Sequence, residues 1–163
     1  PHVFGNVNVK DAHDVEQNWE QIKLKEKGGN KTVLAGVPST LPALIKANRI
    51  QEKVSNVGFD WEEPHQAWEK VNEEMAELAH EIDQMDQVKM EEEMGDLLFS
   101  IVNVARLYDI NPENALEKTN KKFISRFNYL EREAAKRGTD LKQMTLAQMD
   151  ELWNEAKLIE HKH

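Results

Sequence analysis

An all-α antiparallel helical bundle is the fold that this 163-residue sequence predicts. Three observations point to it. Apolar residues recur at helical spacing almost throughout from Leu41 onward. Gly58, Asn111-Pro112 and Gly138 divide that pattern into segments of helical length. The connections between segments are short, which favours antiparallel neighbours.

Each element has its own reason. Val3, Phe4, Val7 and Val9 give residues 1–10 a weak extended pattern, too short to found a sheet. A first helix is expected from about Asp14 to Lys27, stopped by Gly28-Gly29, and Gly29–Pro38 reads as a flexible linker. Pro42 suits a first helical turn, and Leu44, Ile45, Val54 and Val57 carry the pattern to Gly58. In the helix from about Glu63 to Met85, Val71, Met75, Leu78 and Ile82 form the apolar stripe. Over Val88–Asp109 the expected buried face is Met90, Met94, Leu97, Leu98, Ile101 and Ala105. Asn111-Pro112 caps and opens a long helix through Leu116, Phe123, Phe127, Leu130 and Ala134, ended by Gly138. Thr145 with Gln148 matches a capping box for a last helix, about Leu146–Ile159.

Composition narrows the function classes. A net charge of −9 argues against general nucleic-acid binding, which needs basic surface. It does not argue against a phosphorylated small molecule if divalent cations lie between the two. Without cysteine there is neither a disulfide framework nor a thiolate metal site. No apolar run is long enough to span a bilayer and no signal peptide opens the chain, so a soluble, cytoplasmic protein is expected. Pro1 is not an initiator methionine, and a fragment or processed product is expected.

The informative region is Glu62–Asp96, with thirteen acidic residues against Lys70 and Lys89 and no arginine. A solvated acidic face is the bland explanation. Helical geometry offers another. Glu74, Glu77 and Glu81 fall in one stripe at the edge of the apolar face, and Glu73 lies one turn from Glu77. On the following helix Glu93 and Asp96 again flank the apolar stripe, with Lys89 one turn before Glu93. Carboxylate pairs on consecutive antiparallel helices can face one another across a cleft. Oxygen-only ligands suit Mg²⁺ or Mn²⁺ rather than zinc. Gly95 sits between Glu93 and Asp96, where it either keeps the cleft open or marks a helix–helix contact.

Glu73-Glu74-Met75-Ala76-Glu77 reads EExxE and Glu93-Met94-Gly95-Asp96 reads ExxD, with fifteen residues between them. Together with Val57-Gly58-Phe59-Asp60-Trp61, Asn120-Lys121-Lys122-Phe123 and Trp153-Asn154-Glu155-Ala156-Lys157, this resembles the MazG family of nucleoside triphosphate pyrophosphohydrolases, within the all-α NTP pyrophosphatase superfamily. The likeness covers roughly 15–157 and is nearest to the catalytic C-terminal half of two-domain bacterial MazG proteins. It implies an N-terminal extension, helix and linker over 1–38 and a catalytic helical domain over 39–163. It implies Glu74, Glu77, Glu93 and Asp96 as metal ligands and Glu73 as a group that orients a ligand or activates water. Lys70, Lys89, Lys122, Arg126, Trp153 and Lys157 stand where family members contact nucleotide. One departure is a segment between the motifs about two residues shorter than in such relatives, which bears on the connecting turn.

The side chains make chemical sense of those implied roles. Lys122 and Arg126 are one turn apart and suited to phosphate oxygens; Trp153 and Lys157 put an indole beside an ammonium. The expected reaction is Mg²⁺-dependent hydrolysis of a nucleoside triphosphate to the monophosphate and pyrophosphate, serving nucleotide-pool housekeeping. Mn²⁺ is expected to substitute, and a homodimer is the expected assembly, with neither nucleic acid nor membrane as partner. Two alternatives remain at this level: a non-catalytic helical dimerisation or nucleotide-sensing module, and a di-metal bundle using Glu77-Leu78-Ala79-His80.

Overall fold

The structure is a computed structural model that describes residues 12–26 and 32–162. Among the described residues six α-helices follow in order: α1 (Ala12–Glu26), α2 (Ala43–Ser55), α3 (Pro64–Gln84), α4 (Gln87–Leu107), α5 (Pro112–Lys136) and α6 (Leu146–His161). A 3₁₀ turn at Leu141–Gln143 precedes α6, and no strand occurs among the described residues. The all-α expectation holds; the extended segment expected over 1–10 lies outside the described residues. No helix of the described residues is long and apolar enough to cross a membrane.

Local chemistry sets the boundaries. Pro64 opens α3 where its missing N–H costs nothing, and the Gln66 side chain accepts from the Glu63 N–H at 3.0 Å. Met85 ends α3 in the left-handed region (φ 56°). Asp86 then caps α4, its Oδ1 accepting from the Lys89 N–H at 3.1 Å. Only Met85 and Asp86 separate the two helices. At the end of α5, Gly138 takes a positive φ of 70° that a side chain would resist. The Thr145–Gln148 box forms as expected, at 3.2 and 2.9 Å.

The chain divides into two compact units, the first running through Glu113 and the second from Asn114. In the first, α3 and α4 pack along each other as an antiparallel hairpin, and α2 packs on α4. Ala67, Val71 and Leu78 of α3 and Val102 of α4 are its buried apolar side chains. In the second, Leu130 and Ala134 of α5 and Leu152 and Ala156 of α6 are buried, each pair one turn apart.

The apolar stripes are only partly covered. Val71 and Leu78 are buried as the periodicity predicts, but Met75 is 53% exposed and Ile82 also faces outward. On α4, Met94, Leu98 and Ile101 are exposed, while Ser100 and Val102 face inward. The reason is geometric. The face that α3 buries runs through Ala67, Val71, Glu74 and Leu78, and Met75 and Ile82 lie beside it.

Candidate metal and substrate site

The α3–α4 hairpin decides which carboxylates meet. Glu77 stands seven residues before the end of α3 and Glu93 six after the start of α4, so their levels match across the two-residue turn. Glu74 is one turn further from the turn than Glu77. Ligand oxygens of Glu74, Glu77 and Glu93 all lie within 4.8 Å of one another. Asp96 is one turn beyond Glu93; it is exposed, stands outside that trio, and lines a neighbouring cavity together with Glu74. Glu73 is exposed and pairs with Lys70 at 3.3 Å.

Glu74 is the buried member, at 5% exposure. Its Oε1 accepts a 2.8 Å ion pair from Lys70, which holds its carboxyl below the usual range. The same bond raises the Lys70 ammonium. Its other oxygen, Oε2, is buried with no hydrogen-bond partner, and so is Oε2 of Glu93. Burial, then the nearby Glu77 and Glu74 carboxylates, push Glu93 up to about 7. Two orphaned, buried carboxylate oxygens cost free energy unless a proton or a cation answers them. The donor set is oxygen alone, and His80 is not in it. That set fits a hard divalent cation.

The remaining cations fall in two places. Lys89 is exposed on the first turn of α4. Lys122, Arg126, Trp153 and Lys157 belong to the second unit, where Lys122 and Lys157 are exposed. Arg126 is committed there to Glu160, with contacts of 3.1, 3.0 and 2.8 Å, and depresses that carboxyl. Its guanidinium also lies 5.7 Å from the Trp153 ring centroid, while Phe123 packs on the indole at 4.9 Å. The indole is therefore half-covered by its own unit.

Sequence reasoning missed the cavity itself, about 660 Å³ between α2, α3, α4 and the loop after Gly58. Its walls include Gln51, Phe59, Trp61 and Arg106, none of which the carboxylate motifs single out. The Gly58-Phe59-Asp60-Trp61 segment was the available signal: a glycine with φ 92°, then two exposed aromatics around an aspartate.

Comparison with known proteins agrees with this geometry. Residues 62–130 match the sequence model described as the MazG nucleotide pyrophosphohydrolase domain. The chain is 42% identical over 161 residues to a nucleoside triphosphate pyrophosphohydrolase of Escherichia coli (strain K12), covering 96% of this chain and 61% of that protein. It is 43% identical over 158 residues to the nucleoside triphosphate pyrophosphohydrolase/pyrophosphatase MazG of Thermotoga maritima, covering 96% and 59%. It is 49% identical over 170 residues to the uncharacterized protein YabN of Bacillus subtilis (strain 168), covering 99% and 34%. The chain thus spans about three-fifths of the length of the first two relatives and a third of the last. The chain is thus similar to these MazG-type pyrophosphohydrolases along nearly its whole length, and residues 62–130 match the MazG domain itself.

Proposed function

We propose that the chain hydrolyses nucleoside triphosphates to nucleoside monophosphate and pyrophosphate, with Mg²⁺ as its cation and Mn²⁺ able to replace it. The observation that supports this most is the convergence of Glu74, Glu77 and Glu93 with two buried oxygens lacking partners. Glu74, Glu77 and Glu93 would hold the metal, with Asp96, one turn beyond Glu93, as a fourth ligand. Bound there, Mg²⁺ supplies neutralisation of triphosphate charge and acidification of a water. Glu73, free to exchange its contact with Lys70, takes the proton that the attacking water releases. Lys70 and Lys89, on the same two helices as the carboxylates, bind phosphate oxygens. The water oxygen joins phosphorus, the α–β anhydride bond breaks, and pyrophosphate leaves.

The names of the Escherichia coli and Thermotoga maritima relatives support the same reaction. A cytoplasmic role in nucleotide-pool housekeeping follows from it. A homodimer is part of this reading, because Met75, Ile82, Met94, Leu98 and Ile101 leave apolar surface open on α3 and α4.

The test is a panel of canonical and damaged NTPs and dNTPs incubated with Mg²⁺, products resolved by chromatography. Pyrophosphate with NMP is expected; phosphate with NDP overturns the reaction. Glu77→Ala and Asp96→Ala should abolish turnover while the helical circular dichroism persists. Nucleotide binding by the wild type without any turnover would favour the sensing module instead.

A further inference from the structure

Lys70 and Glu74 stand one turn apart on α3, in an order that does little for the helix itself. An acid placed four residues before a base supports a helix better than this reverse arrangement does. Glu74 belongs to the buried face that runs through Ala67, Val71 and Leu78, and only 5% of it is exposed. Lys70 reaches it from a half-buried position, where it lines the neighbouring cavity beside Glu74 and Asp96.

The bond divides the carboxylate. Oε1 accepts from the Lys70 ammonium at 2.8 Å, while Oε2 is buried and has no hydrogen-bond partner. The exposed Glu73 holds the same ammonium through its Oε1 at 3.3 Å. An ammonium has three donors, so these two anchors leave one for a phosphate oxygen. With Lys70 in place, Glu74 has a single oxygen to offer a cation.

That restriction weighs differently on different ions. Mg²⁺ demands near-octahedral geometry, binds through one or two carboxylates, keeps several waters and completes its shell with substrate phosphates. Ca²⁺ takes about six to eight oxygens and accepts a carboxylate through both of its oxygens. A trio with one member confined to one oxygen is short of ligands for Ca²⁺ and sufficient for Mg²⁺.

Resting on the reading of Glu74, Glu77 and Glu93 as the cation site, we propose that Lys70 is a specificity-determining residue for the ion. By occupying Oε1 it confines Glu74 to one-oxygen coordination, and so selects Mg²⁺ against Ca²⁺. Lys70 acts through Glu74 and is a positioning residue for the metal, whatever its third donor does toward phosphate.

Calorimetric titration of the full chain with Mg²⁺ and with Ca²⁺, without nucleotide, reads this from the ratio of the two dissociation constants. Both ions carry the same charge, so the loss of one lysine charge cancels from the ratio. The wild type should bind Mg²⁺ more tightly than Ca²⁺. Lys70→Met frees Oε1, and the ratio should move toward Ca²⁺ by about tenfold, one oxygen ligand on the scale by which calcium sites are tuned. On a Glu74→Gln background, whose amide offers one oxygen only, Lys70→Met should leave the ratio where it is. A ratio unmoved by Lys70→Met, or moved equally on the Glu74→Gln background, overturns the proposal. So does a wild type that takes Ca²⁺ as tightly as Mg²⁺, a result that needs no variant to fold. Binding of neither ion refutes the cation site and the hydrolysis reading with it. Binding of both with an unmoved ratio refutes the role of Lys70 alone.

Discussion

Lys70 and Glu74 meet at 2.8 Å on one face of α3, and the bond occupies one oxygen of a carboxylate whose other oxygen has no partner. Lys70 thus half-satisfies a buried acid and leaves the rest for something else.

Removing that ammonium should be felt by the fold. Lys70→Met leaves a buried carboxylate without its charge partner, and about 1–2 kcal/mol of stability at pH 7 should be lost once the exposure of Lys70 is allowed for. Because Glu74 sits below its ordinary value, the stabilisation it provides is present above pH 4.5 and disappears as pH falls through its folded value. Urea melts of wild type and Lys70→Met at pH 7 and pH 3 check this. The two curves should converge in acid.

Glu93 predicts the opposite slope. Folded and metal-free, it keeps its proton to about 7, whereas an ordinary glutamate releases it near 4.5. Stability of the metal-free protein should therefore fall as pH rises from 4.5 to about 7 and then level. Glu93→Gln, which has no proton to lose, should flatten that segment. Thermal melts in EDTA across this range would contradict the picture if the two proteins ran parallel.

Gly95 gives a clean contrast between fold and assembly. A Cβ built there meets no atom within 4 Å. Gly95→Ala should raise the stability of the metal-free chain by about 0.5–1 kcal/mol, the usual helix gain. A lowered melting temperature would mean that another molecule normally fills that space.

The uncovered face of the hairpin is tested by charge. Leu98 is 54% exposed between Met94 and Ile101 on α4. Leu98→Glu should convert a sedimenting dimer into a monomer whose helical signal is unchanged. If the wild type already sediments as a monomer, the assembly reading fails.

Much of this was legible from residue order. The Thr145–Gln148 box and the Gly138 stop are local chemistry, and both formed. Glu74, Glu77 and Glu93 could be grouped because helical spacing and one short turn fix their levels. Burial was less legible. Met75 and Met94 have the right period for a core, but periodicity reports which face is apolar, not what covers it. Gln51 was invisible for a different reason: its place in the cavity wall depends on the Phe99 carbonyl, forty-eight residues away, holding its amide.

The tight link made by Met85 and Asp86 has an evolutionary corollary. Both arms leave it at nearly equal distance from their acids, so lengthening both arms symmetrically at the tip would merely carry the apex outward. A single insertion between Glu77 and Gln84 is another matter, since it swings everything upstream by about 100° around the α3 axis. Natural size variation in this stretch should therefore concentrate at the apex and come in matched increments, leaving the acids aligned in homologues with hairpins of unequal reach.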